Sequence, residues 1–128
     1  FSEDPDVDVV NLMAPIEAME EFTDPNCIKV VVAGNDNALF MSRQPIPTLS
    51  FLRENLGFKQ VCVIPFRRAA LMEYIEMTPT PLEKFESIDM LRLLENNRPV
   101  RMVRTKHATQ AVDTPDDLEK VSKLLMGN

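Results

Sequence analysis

The chain has 128 residues, 45% of them hydrophobic, which suits one domain with an ordinary core. Its 20 acidic and 14 basic residues leave a formal net charge of −6, an unfavourable balance for binding a phosphate backbone, so nucleic acid is excluded as an expected partner. No apolar stretch approaches membrane length and the start is not a signal peptide; Cys27 and Cys62 share no metal-ligand spacing and sit in Val/Ile-rich runs that suit reduced thiols. The expected setting is reducing and cytoplasmic, without membrane insertion.

Phe1 to Asp8 is acidic and carries no initiator Met. Val7 to Val10, then Leu12 and Met13, predict a strand ended by Ala14-Pro15. A short helix over Ile16 to Phe22, with Met19 and Phe22 inward, stops at Asp24-Pro25-Asn26. Cys27 to Ala33 is a β run interrupted only by Lys29, and Gly34 to Asn37 turns it back into Ala38 to Ser42 as a hairpin. Arg43 follows that strand directly and precedes Gln44-Pro45-Ile46-Pro47, whose prolines restrict the backbone. A guanidinium held at a strand end can make two parallel bonds to a carboxylate or phosphate, and it can equally be a surface charge.

Thr48 to Gly57 reads as a loop or helical turn, and Lys59 to Phe66 as a strand with Pro65 at its end. Arg67 to Glu76 predicts a helix with Leu71, Tyr74 and Ile75 on one side. The longest helix is expected from about Leu82 to Asn96, with Leu82, Phe85, Leu91 and Leu94 on its apolar face. On it Glu86, Asp89 and Arg92 recur every three residues, as an exposed ion-pair ladder or as one polar wall of a cleft. Val100 to Val103 is a short strand, His107 a lone loop histidine without metal partners, and Pro115 to Met126 a closing helix.

Ahead of that last helix stands Val112-Asp113-Thr114-Pro115-Asp116-Asp117-Leu118. Thr can cap the helix, Pro fits its first turn, and two acids complement its dipole, so Asp113 is held just outside a firmly started helix. Such a carboxylate suits a bound metal or phosphate, although a structural cap uses the same residues. The 3 glycines have no phosphate-cradle spacing, and no Cys/His cluster suggests zinc. Strands alternating with helices and one antiparallel pair give an α/β class with a mixed sheet. Spacing alone gives an acidic α/β domain with a possible cleft for an anion and a metal.

Several stretches in order, MAPI with FTDPNCIKVVV, NALFMSRQPIP, KQVCVIPFRRAAL, TPTPLEKFESIDMLRLLE and AVDTPDDLEKV, span nearly the whole chain. Together they resemble the C-terminal half of the 3-deoxy-manno-octulosonate cytidylyltransferases, a family with a nucleotide-diphosphosugar-transferase-like fold. The resemblance implies residues 1–128 as that half of a single domain, without the half that carries the nucleotide loop. It implies transfer of CMP from CTP to a 3-deoxy-ulosonic acid, release of pyrophosphate, Mg²⁺ as cofactor and a homodimer. Asp113 matches the family's metal-binding carboxylate, and Arg43 the arginine that pairs with the sugar's carboxylate. The family's adjacent acid and amide on the long helix correspond to Asp89 and Met90, and its sugar-site His and Tyr to Gln60 and Ile64. Thr48 replaces the family's aromatic residue. Asp89 has a shorter reach than Glu, and Met90 and Ile64 lack hydrogen-bonding groups, so the pocket is not expected to read the same hydroxyls; the resemblance implies Kdo or a related sugar acid as substrate. The alternative is a non-catalytic dimerisation or interaction domain that has lost the nucleotide half.

Overall fold

The computed structural model describes residues 4–48 and 56–105. In chain order these form β1 (Val10–Pro15), α1 (Met19–Thr23), β2 (Lys29–Val32), β3 (Ala38–Ser42), β4 (Phe58–Val61), α2 (Arg68–Glu76), α3 (Pro81–Glu86), α4 (Leu91–Glu95) and β5 (Arg101–Arg104). The strands build one mixed sheet in the order β3-β2-β4-β1-β5, as the expected α/β class requires. Only β1 and β5 run parallel, with Val10 opposite Arg101; the other pairs are antiparallel.

The predicted hairpin of β2 and β3 is present, and Asp36 takes the left-handed conformation its turn needs, with φ of 67°. Its register shifts between Val31 and Val32, and β2 pairs with β4 only through Lys29 and Val30. The hairpin therefore diverges from its neighbour, and its tip reaches the far edge of the sheet. There Ala38 N–H donates to Val100 O at 2.8 Å, and Met102 N–H donates to Asp36 O at 2.8 Å.

One buried cluster joins the sheet to the helical segment, with Val9, Met13, Val30, Met41 and Met102 meeting Ile88, Met90, Leu91 and Leu93. Four of the 8 methionines are fully enclosed there, so unbranched, adaptable side chains fill this interior. Phe22 is completely buried from α1, but Met19 is exposed, contrary to expectation. The helix begins at Met19 rather than Ile16, so Met19 occupies its first turn. On α2, Tyr74 is half-buried, whereas Leu71 and Ile75 lie exposed.

The expected long helix from Leu82 to Asn96 is two short ones. Ser87 closes α3 in the left-handed conformation, with φ of 56°, and donates its N–H to Glu83 O at 2.7 Å. Packing explains the break: Ile88, Met90, Leu91 and Leu93 are all buried. In a continuous helix, turning about 100° per residue, those four positions would point all round the axis and could not share one buried face. Leu82 and Phe85, assigned to the apolar face, are exposed instead. A folded-back pair fixes the two helices, since the Arg92 guanidinium donates to both Glu83 oxygens, at 2.8 and 2.7 Å, and lies 4.6 Å over the Tyr74 ring.

The Arg92 hydrogen bonds hold the Glu83 carboxyl below its ordinary value of 4.5, against the opposing effect of burial. A carboxylate lowered on folding stabilises above that ordinary value, and the contribution is lost as pH falls through the folded value. Glu83→Gln is accordingly expected to cost about 3 kcal/mol at neutral pH, as loss of one partner of a buried pair does. Urea unfolding should show the gap to the parent protein shrinking at pH values well below 4.5. A gap independent of pH would contradict the ionised pairing.

Candidate functional site

Lys29, the one charge in the β2 run, is 1% exposed. An ammonium without water needs three acceptors, and it has them: Asp24 O, Cys27 O and Arg43 O each accept from Nζ at 2.6 Å. Burial pulls the Lys29 pKa below its ordinary 10.5, and the nearby Arg43 charge acts in the same direction. The clamp joins the segment after α1 to the end of β3, where Arg43 stands.

Arg43 is held from several sides. Its Nε donates to Glu86 O at 2.6 Å, one terminal nitrogen donates to Pro25 O at 2.9 Å, and the other to Ser87 O at 2.9 Å. All three acceptors are neutral carbonyls, and among the described residues the guanidinium makes no ion pair. Of its five N–H groups, three are used, which leaves one on each terminal nitrogen. An arginine fixed by neutral groups keeps its full charge for an external anion, and two adjacent donors match a carboxylate.

Glu86 supports this arrangement through its side chain as well. Its carboxylate accepts Arg43 N–H at 2.8 Å and lies 3.0 and 3.1 Å from Ser42 Oγ, while Ser42 Oγ accepts Gln44 N–H at 3.0 Å. Glu86 therefore turns to β3 and Arg92 to Glu83, so these two do not form rungs of one surface ladder. Asp89 is exposed in the turn between α3 and α4, two residues after the Ser87 carbonyl that binds Arg43. Met90 beside it is buried in the core.

Gln60 lies on β4, where its N–H donates to Ile28 O at 2.8 Å. Extending the β2 ladders by one residue sets Arg43 and Gln60 on opposite sides of Ile28, two strand spacings or roughly 10 Å apart. The Gln60 amide donates to the Asn11 carbonyl oxygen, and Asn11 is fully buried, donating in turn to Val61 O at 2.8 Å. Asn11 thus orients Gln60; its signal in the sequence was a single polar residue within an apolar run. Ile64 is partly buried against the core. The structure brings Arg43 together with Glu86 and Ser87, with Gln60 in the same strand row, while the Asp89 charge acts on Tyr74 and Arg92.

Asp113 and His107 lie outside the described residues. No group of three or more His, Cys, Asp or Glu that could hold a metal occurs among the described residues. They supply no metal cradle of their own. A separate cleft beside α2, lined by Val9, Ala70, Met77 and Leu93 and flanked by the Arg98–Glu73 ion pair at 2.9 Å, includes neither Arg43, Gln60 nor Asp89.

Lys29→Met would leave three carbonyls without their donor. The expected cost is about 3 kcal/mol, the scale for losing a buried hydrogen-bonded charge. Urea denaturation reads this directly, and an unchanged midpoint would show that the clamp contributes nothing.

Residues 2–109 match the model of a family described as cytidylyltransferase. The chain is 36% identical over 121 residues to a 3-deoxy-manno-octulosonate cytidylyltransferase of Christiangramia forsetii, covering 94% of this chain and 49% of that protein. It is 41% identical over 128 residues to the enzyme of that name from Lawsonia intracellularis, covering 95% and 48% respectively. A solved structure of CMP:2-keto-3-deoxy-manno-octonic acid synthetase complexed with CTP superposes with a TM-score of 0.86 at 32% identity, over 98% of this chain and 52% of that one. The chain spans about half the length of these relatives.

Proposed function

Because the chain belongs to the cytidylyltransferase family, we propose that it forms the sugar-acid side of an enzyme that transfers CMP from CTP to a 3-deoxy-ulosonic acid. The observation carrying this reading is the superposition on a synthetase complexed with CTP, which takes in 98% of the chain with a TM-score of 0.86. In the reaction the anomeric oxygen of the sugar attacks the α-phosphorus of CTP. The bond from that phosphorus to the bridging oxygen breaks, pyrophosphate leaves, and the hydroxyl proton passes to solvent.

Arg43 would orient the acceptor by pairing its two remaining N–H groups with the sugar's carboxylate, at little ordering cost because the guanidinium is already fixed. Asp89, exposed two residues beyond Ser87, would accept a hydrogen bond from a sugar hydroxyl, and Gln60 would offer an amide oriented by Asn11. Met90, buried in the core, and Ile64, packed against it, bring no hydrogen-bonding groups, so the pocket would not read the hydroxyls that the family's amide and tyrosine read, and the acceptor is Kdo or a related sugar acid that needs no polar contact there. In this reading Mg²⁺ is held in part by Asp113 and would neutralise charge on the phosphates. The setting is cytoplasmic, and the whole protein binds CTP and forms a homodimer.

A second reading, a non-catalytic dimerisation domain, draws support from α2, where Leu71, Met72 and Ile75 expose apolar surface. The two readings separate in an assay of the full-length protein. Asp113→Asn is expected to abolish Mg²⁺-dependent pyrophosphate release while leaving the fold intact. Arg43→Lys keeps the charge but loses the two-point donor, so the KM for the sugar acid should rise about tenfold or more with the KM for CTP unchanged. Unaltered release in the first variant would remove the metal role, and no transfer by the parent protein would favour the dimerisation domain.

A further inference from the structure

We infer that Glu86 is a positioning residue, one that sets the aim of Arg43 without touching the substrate itself. The inference rests on the reading of Arg43 as the contact for the sugar's carboxylate. Glu86 acts on Arg43 at two points. Its carboxylate accepts the Arg43 backbone N–H at 2.8 Å, and its own carbonyl accepts Arg43 Nε–H at 2.6 Å. Ser42 lies beside the same carboxylate, so the end of β3 is tied to α3 through two successive residues. Lys29 donates to Arg43 O at 2.6 Å, so the residue's main chain is held at both its N–H and its carbonyl.

The placing of the negative charge is the informative part. Glu86 could have paired with the guanidinium, and that pairing would have cancelled the charge an anion needs. Instead the carboxylate is spent on a backbone N–H and a hydroxyl, and the guanidinium receives only carbonyl oxygens. A plain clasp between strand and helix would require neither the backbone carbonyl of the same residue on Nε nor the neighbouring Ser87 carbonyl on the next nitrogen. Those two acceptors face one edge of the guanidinium and set the direction of its remaining donors. The sequence presents Glu86 only as one of three regularly spaced charges; its partners are 43 and 44 residues away and become visible in the fold.

The test uses the full-length protein, with nitrogen-15 NMR of the arginine Nε–H groups and steady-state kinetics side by side. The Arg43 resonance is assigned by its disappearance in Arg43→Lys. In the parent protein it should exchange slowly with water, and in Glu86→Gln it should shift or broaden while the dispersed methyl spectrum stays folded. The KM for the sugar acid should rise at least about fivefold in Glu86→Gln with the KM for CTP within about twofold. In an Arg43→Lys background the same change should add less than about twofold, because a residue acting through Arg43 has nothing left to position. An unmoved Nε–H resonance, a parallel rise in both KM values, or full additivity in the double variant would overturn the inference. If the parent protein transfers no CMP, the functional reading fails by itself, and the NMR comparison still decides whether Glu86 orients Arg43. Should Glu86→Gln not fold, Glu86→Asp, which withdraws the carboxylate by one methylene, is read in the same way.

Discussion

A buried ammonium imposes the central constraint on this protein. Lys29 sits in a strand with no access to water, and such a charge is tolerable only when each of its three protons has an acceptor. The acceptors come from Asp24, Cys27 and Arg43, which belong to the turn after α1, the approach to β2 and the end of β3. Their convergence is a geometric demand, because three carbonyls must point at one nitrogen. Once it is met, the place where Arg43 leaves the sheet is fixed, and with it the positions from which the Glu86, Ser87 and Pro25 carbonyls reach the guanidinium. Two cations are then held close together by neutral oxygens, in a chain whose overall charge is −6. The Glu86 carboxylate beside them is bonded to a backbone N–H and a hydroxyl rather than to the guanidinium, so the Arg43 charge is not paired off by its nearest acid.

The division between what the chain order reveals and what it conceals follows the range of the interactions. The β2–β3 hairpin is legible because a four-residue polar turn and two short β runs are local, and the structure reproduces Ala38 to Ser42 without change. Arg43 at a strand end was legible for the same reason. The helix over residues 82–96 misleads because its periodicity is sound over short windows, whereas the decision to break at Ser87 is made by the core, which takes up Met90 as well as Leu91. Lys29 stood out as an exception in an apolar run, but nothing in the spacing discloses three carbonyl partners. Asn11 and Gln60 meet across 49 residues, and Glu86 reaches Ser42 across 44. Local patterns cannot encode such pairings; they singled out Arg43, Asp89 and Asp113, resemblance to a known family gave those residues roles and added Gln60, and the fold supplied the hydrogen-bond partners of Arg43 and Gln60.

Buried polar groups, each with its own partner, organise the region around these residues. Asn11 serves Gln60, Lys29 serves the main chain at Arg43, and Glu83 serves Arg92 beneath the Tyr74 ring. Each is a polar group whose hydrogen bonds are met inside the protein, so each restricts the alternatives open to its segment more tightly than an apolar side chain of similar size would. Methionines fill the remaining interior, and their adaptability complements these fixed points.

The hairpin tip that crosses to β5 also governs how the molecule can meet its own kind. A terminal strand with unsatisfied N–H and C=O groups is a template on which another chain can extend the sheet. Here the outward groups of Val100 and Met102 are already taken by Ala38 and Asp36, and Asn37 bridges to Arg101. The protein in effect caps its own ladder with a piece of itself. Association by strand addition along this stretch of β5 would first have to pry that tip away.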